Sequence, residues 1–179
     1  MSVPEKRINF WKQIEEKFQK SPSKLETIKT LISLGISVRK EYDEIRFYSG
    51  SIEIKSNAIS RGTEIDRRVV AEVAGIIVND PLLSEIFSGI KPIPDLSGIG
   101  AKFGFGVIEI IPVEASTPGI IAGVLDVIAS SGLNVRQVIV DDPEIVREPR
   151  AKIVTDRPVD PALIPSIRNV AGVRAVVIL

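Results

Sequence analysis

The chain has 179 residues, with 23 Lys and Arg against 23 Asp and Glu, a formal net charge of zero; no overall basic field points to nucleic acid or an anionic membrane. It holds no His and no Cys, which excludes disulfides, thiolate nucleophiles, imidazole acid–base chemistry and the commonest metal ligand. Hydrophobic content of 44% is ordinary for a globular protein, no apolar run approaches the roughly 18 residues that span a bilayer, and the charged start MSVPEKRINFWKQ lacks the apolar core of a leader, so the expectation is a soluble cytoplasmic protein with no metal, no cofactor and no membrane partner.

In chain order, Phe10 to Phe18 reads as a helix with Phe10, Trp11, Ile14 and Phe18 on one face. Ser21 or Ser23 is placed to cap a second helix through Leu25, Ile28, Leu31 and Ile32, stopped by Gly35. The run EIRFYSGSIEI reads as a hairpin turning at Ser49-Gly50. The stretch SNAISRGTEIDRRVVAEVAGIIVND then reads as a short helix, a turn and a longer helix. Asp66 is placed to cap the longer helix, and Val69, Val70, Val73, Ile76 and Ile77 recur at three- and four-residue spacing along it.

The segment FSGIKPIPDLSGIGAKFGFG, Phe87 to Gly106, is dense in Gly and Pro, which break helix and strand alike. A boundary is therefore expected there, giving a first domain over residues 1–90, a linker over 91–101 and a second domain over 102–179. Most of the lysines lie in the first half, and neither half carries a strong net charge.

Beyond the seam, Lys102 to Val113 reads as a strand and Pro118 to Ser131 as a helix. Thr117 stands at the cap of that helix, Pro118 in its first turn and Gly132 at its stop. Leu133 to Val140 and Ala151 to Thr155 read as strands. A helical region opening at Asp160-Pro161 stops near Gly172, with Pro165 either kinking it or starting it. Val173 to Leu179 is the last strand. The order is β-α-β-β-α-β, the ferredoxin-like arrangement. The first and last strands are apolar on both faces, whereas an antiparallel sheet with helices on one side usually shows water a polar face. A cover by another subunit or by the first domain is the expectation.

The turn of ASTPGII, the helix it opens and the strand start at GLNVRQV resemble an ACT domain over about residues 102–179. The resemblance implies a small regulatory module that binds an amino acid or related ligand, often across a dimer interface. It places the site at Ala115, Ser116, Thr117, Gly119, Ile120, Asn134 and Val135. Physical chemistry agrees with such a site: a helix N-terminus offers unpaired amides and a partial positive charge to a carboxylate. Gly119 lets a ligand approach the backbone, and Asn134 offers both donor and acceptor. Ligand-binding ACT domains often carry Asn where this chain has Ser116, whose hydroxyl reaches less far. The alternative is that Thr117-Pro118-Gly119 only starts a helix, Asn134 only satisfies a strand end, and the module serves assembly.

The short helix, turn and long helix of the first half resemble a helix-turn-helix, with Glu64 where the turn usually has Gly. On that resemblance Arg67 and Arg68 open the recognition helix, and Lys55 and Arg61 contact the phosphate backbone. The alternative is a small helical domain with arginines on a solvated face. In order, SIEI, DRRVV and GIIAGVLDVIASSGLNVRQVIVDDPE resemble a group of archaeal proteins described as predicted regulators of amino acid metabolism. The overall expectation is an α+β protein: a mainly helical, helix-turn-helix-like domain with a short hairpin, followed by a ferredoxin-like ACT domain. It implies a homodimeric or larger allosteric regulator that binds an amino acid and DNA. A non-DNA-binding module regulating a partner enzyme is the alternative. Catalysis is not expected: Asp141, Asp142 and Glu144 lie close in sequence, but acidic loops of this kind commonly serve solubility.

Overall fold

The computed structural model describes residues 10–179; residues 1–9, which hold most of the stretch read above for a leader, lie outside it. The protein is mixed α+β with two antiparallel sheets. It divides into two compact units, the first ending at Ile93 and the second beginning at Pro94. No described helix is long and apolar enough to cross a membrane.

In the first unit, helix α1 (Phe10–Phe18) buries Trp11, Ile14 and Phe18, residues three and four apart on one helical face. Helix α2 (Pro22–Ser33) buries Thr27, Ile28 and Leu31. Ser21 stands at its N-cap as one of the two expected candidates, but its side chain makes no cap bond, and Ser23 lies inside the helix. A sheet follows, made of β1 (Ile36–Glu41), β2 (Glu44–Ser49) and β3 (Ile52–Ile54) in the order β1-β2-β3. The turn between β2 and β3 falls at Gly50-Ser51, one residue beyond the expected Ser49-Gly50, since Ser49 still pairs with Ile52, and β1 turns the expected short hairpin into a three-stranded sheet. That strand is hard to read because only Ile36 and Val38 alternate before the charged run Arg39, Lys40 and Glu41.

Helix α3 (Ser56–Thr63) and helix α4 (Arg67–Asn79) come next. Asp66 caps α4, its carboxylate accepting from the Arg68 amide at 2.7 Å, and Val70, Val73, Ala74 and Ile77 are buried. Helix α5 (Pro81–Gly89) closes the unit and buries Leu83 and Phe87. Phe87 opens the Gly- and Pro-rich stretch at the end of the expected first domain, where no helix is expected. It instead belongs to a helix that Asp80 caps through the Leu83 amide, 3.0 Å, with Pro81 in the first turn, where a missing N–H is harmless.

The expected linker is packed at both ends. A side chain at Gly35 would run into the Pro92 backbone, which fixes residues 91–93 against the first unit. From Pro94 the chain belongs to the second: Gln137 accepts from the Leu96 amide at 2.9 Å and donates to the Pro94 carbonyl at 2.6 Å. Lys152 pairs with Asp95 at 3.2 Å. The Ser97 hydroxyl and amide hold the Asp95 carboxyl below its ordinary range. Pro and Gly interrupt regular structure here without preventing packing.

The second unit continues with α6 (Ser97–Gly100), a 3-10 turn at Ala101–Phe103, β4 (Gly106–Pro112), α7 (Ile120–Ser130), β5 (Val135–Val140), β6 (Ala151–Thr155), a 3-10 turn at Pro161–Leu163, α8 (Ile164–Arg168) and β7 (Val173–Ile178). The strands lie in the order β5-β6-β4-β7, with every neighbour antiparallel. Helices α7 and α8 share one core with the sheet, in which Ile120, Val124, Ile128 and Ile167 meet Ile108, Ile110, Ile153 and Val173. Pro165 sits in the first turn of α8 and kinks nothing.

The opposite face of the sheet is covered in part by the unit's own chain. Val107 and Val154, each 1% exposed, face Gly100, where an added Cβ would come within 2.6 Å of Val107 Cγ2. Segment 94–103 thus supplies cover that was expected from a subunit or from the first unit, while Val177 beyond it is 38% exposed.

Candidate ligand-binding site

The segment joining β4 to α7 does not follow the expected cap. Thr117 and Pro118 lie outside the helix, which starts at Ile120 with Gly119 as its N-cap at φ 90° and no side-chain cap. The left-handed backbone at Gly119 suits a residue without Cβ. The first intrahelical bond runs from the Gly123 amide to the Gly119 carbonyl, 2.9 Å. The amides of Ile120, Ile121 and Ala122 precede it and have no intrahelical acceptor. Gly172 supports the turn from below: at φ 88°, its amide neighbourhood sits so close to Ile120 that an added Cβ would lie 2.7 Å from Ile120 Cγ1.

The residues that carry these amides line a cleft of about 160 Å³. Its walls are the turn (Ala115, Thr117, Gly119 to Ala122), the end of β4 (Ile110, Pro112), the end of β5 with its following residue (Val140, Asp141) and the start of β6 (Pro149 to Ala151). Asp141 Oδ2 accepts from the Arg150 amide at 3.1 Å, and the Asp141 amide donates to the Arg150 carbonyl at 2.9 Å. This pair closes the base of the β5–β6 loop. The Arg150 guanidinium binds Glu109, Nη1 to Oε2 2.8 Å, whose side chain is 11% exposed.

The expected site residues separate into two groups. Ala115, Thr117, Gly119 and Ile120 line the cleft. Ser116 is exposed, and its amide and hydroxyl both donate to Glu114 Oε1, at 3.3 and 2.8 Å; that hydroxyl holds the Glu114 carboxyl below its usual range. Asn134 and Val135 lie at the far end of β5. Val135 pairs with Thr155 and through it with Gly106, whereas Val140 pairs with Ala151 and Ile110 beside the turn. Asn134 is occupied there by Asp156: its amide N–H meets Oδ1 at 3.2 Å and its side chain meets Oδ2 at 3.0 Å. The Asn134 side chain lowers the Asp156 pKa. Val140, Asp141 and Pro149 to Ala151 were not foreseen as lining residues. The antiparallel return of β5 and β6 could have pointed to them, since it brings the residues flanking the acidic loop to the end of β4.

In the first unit, Arg67 and Arg68 open α4 and are exposed, as is Arg61 near the end of α3. Lys55 is exposed and paired with Glu53 at 2.8 Å. Glu64 ends α3 in the left-handed conformation, φ 58°, the conformation for which glycine is favoured at such turns. Among the described residues no group of three acidic side chains is placed to hold a metal ion. Asp142 bonds the amide of Glu144 at 2.9 Å, a loop-shaping contact.

No family model matches the chain, and no curated protein matches it. Among solved structures, one described as "Crystal structure of PH0061" is similar at 13% identity over 88% of each chain, with a TM-score of 0.27; at that level the likeness carries no argument.

Proposed function

We propose that the second unit is a ferredoxin-like module of the ACT type that binds a small amino acid, and that the whole chain is a ligand-responsive regulator of amino acid metabolism. The strand order β5-β6-β4-β7, with crossovers through α7 and α8, is what this reading needs. One observation carries the ligand: Ile120, Ile121 and Ala122, whose amides have no intrahelical acceptor, line one cleft together with Asp141, Ile110 and Val140. A helix N-terminus suits a carboxylate, Asp141 suits an ammonium, and Ile110 and Val140 suit an aliphatic side chain. The size of the cleft is close to that of the engineered cavity, about 150 Å³, that holds one benzene.

Calorimetric titration with the twenty amino acids is expected to show at least one binder, weakened about tenfold by Asp141→Asn, as the loss of one charged contact would give. Heat from none of them would sink the ligand reading. Asn134→Ala then separates two geometries. It leaves a one-chain site unchanged and weakens a site to which a second copy contributes its Asn134.

For the regulatory half, exposed Arg61, Arg67 and Arg68 around the α3–α4 turn support a helix-turn-helix-like contact with DNA. Anisotropy with a mixed-sequence duplex is expected to show salt-dependent binding. The log–log salt slope should flatten by about 2 in the Arg67→Ala/Arg68→Ala double variant, about 0.9 for each lost phosphate contact. Equal binding by variant and parent removes those residues from the role. No rise in anisotropy at any salt concentration favours docking on a partner enzyme.

A further inference from the structure

Beside the cleft lies a second hollow of about 310 Å³, which shares Pro112, Ala115, Pro149 and Arg150 with it. Arg147, Arg150 and Arg174 border this hollow together with Glu114 and Glu148. The charges are not equally available. Arg150 is held by Glu109 at 2.8 Å and by Glu148 at 3.5 Å. Glu114 already accepts two bonds from Ser116. Arg147 and Arg174 are exposed and have no ion-pair partner among the described residues.

Arg174 reaches this position through an irregularity of the sheet. Ala175 pairs with Ile111 and Val173 with Pro112, so Arg174 is the extra residue, opposite no partner on β4. Such bulges interrupt a ladder and re-aim a side chain, and they recur beside binding sites. Val173 and Val176 both pack on the core, which strict alternation across three positions would not allow; the extra residue permits both and turns Arg174 outward. Arg147 is held by the β5–β6 loop, whose base is closed by the Asp141–Arg150 bonds and whose course is stiffened by Pro143 and Pro149.

We propose that this hollow is an anion site, in which Arg147 and Arg174 grip a phosphate- or carboxylate-sized group. Two guanidiniums that border one hollow and have no ion-pair partner among the described residues suit a multiply charged oxyanion, which each can meet with paired N–H donors. As a free-anion site it is independent of the amino-acid reading of the cleft; only as the end of a longer ligand does it rest on that reading. Its occupant is either a free inorganic anion or the acidic end of a longer ligand whose body lies in the cleft.

The test is calorimetric titration of the full chain at fixed ionic strength with inorganic phosphate and, separately, with glutarate. Parent, Arg147→Gln, Arg174→Gln and the exposed control Arg168→Gln, which lines neither the hollow nor the cleft, are compared. Binding of phosphate without glutarate identifies a free anion, and binding of glutarate without phosphate identifies the acidic end of a ligand. In either case affinity should fall about tenfold or more in each of the first two variants, as loss of a charged hydrogen bond predicts, and stay unchanged in the control. Absence of binding by both probes, or equal affinity in parent and both variants, overturns the proposal.

Discussion

Gly172→Val is expected to destabilise the second unit by about 3 kcal/mol and to abolish binding in the cleft. Two effects add. At φ 88° a residue with Cβ enters the left-handed region at about 1–2 kcal/mol, and a β-branched one does so least readily. The new Cβ also lands 2.7 and 2.8 Å from Ile120 Cγ1 and Cδ1. Ile120 is 5% exposed and has little room to retreat, and overpacking of this kind typically costs about 1–3 kcal/mol. Because Ile120 begins α7 and lines the cleft, the displacement reaches the amides proposed to hold a carboxylate. The chain's one Trp and both Tyr residues lie before residue 50, so amide exchange along β4 and β6 is the appropriate readout. Gly172→Ala in an Ile120→Ala background separates the two effects: the clash disappears and the backbone strain remains, with a coupling of about 1 kcal/mol between the sites. A Gly172→Val protein as protected as the parent would show that the turn is not held from below.

How much of this was legible in the residues differs between the units. The second unit follows its periodicity: Ile120, Val124 and Ile128 form the buried stripe of α7, and Gly132 with φ 75° ends it. What misled was the start of that helix. Thr-Pro-Gly contains a good cap, a good first-turn residue and a good left-handed residue, and sequence alone ranks the first two ahead of the third. The structure puts the helix start after the glycine, which leaves the amides uncapped. Asn134 was read as a site residue on the ACT resemblance and for the donor and acceptor of its amide. The α7 crossover sets β5 parallel to β4, so Asn134, just before β5, stands at the end of the sheet opposite the turn. The groove's Arg174 was out of reach, since a bulge depends on the register of two strands far apart in the chain. In the first unit, β1 escaped notice because charge dominates its second half, and Ser37, 1% exposed, occupies a core position that pattern reading reserves for apolar residues.

Phe87→Ala is expected to be the most damaging single truncation in the first unit, at about 4 kcal/mol, the middle of the range for deleting a buried aromatic ring. Phe87 is fully buried, 0% exposed, and heads the unit's largest enclosed side chains. It projects from α5, which packs on both β1 and α4, so its ring lies where the sheet and the helices share one core. Truncation to Ala leaves a cavity the size of a phenyl ring between elements that approach from different parts of the chain, and these are poorly placed to collapse into it. Urea unfolding followed by Trp11 fluorescence reads this unit directly, because Trp11 is 5% exposed within it and is the only Trp in the chain. The midpoint should fall with the slope unchanged, the mark of lost stability without a change in the surface exposed. Ile90→Ala, just past the end of α5 and half-buried, should shift the midpoint far less. If the two variants unfolded together near the parent midpoint, the Gly- and Pro-rich stretch from Phe87 onward would be a loose connector after all, and α5 would lose its place in the core.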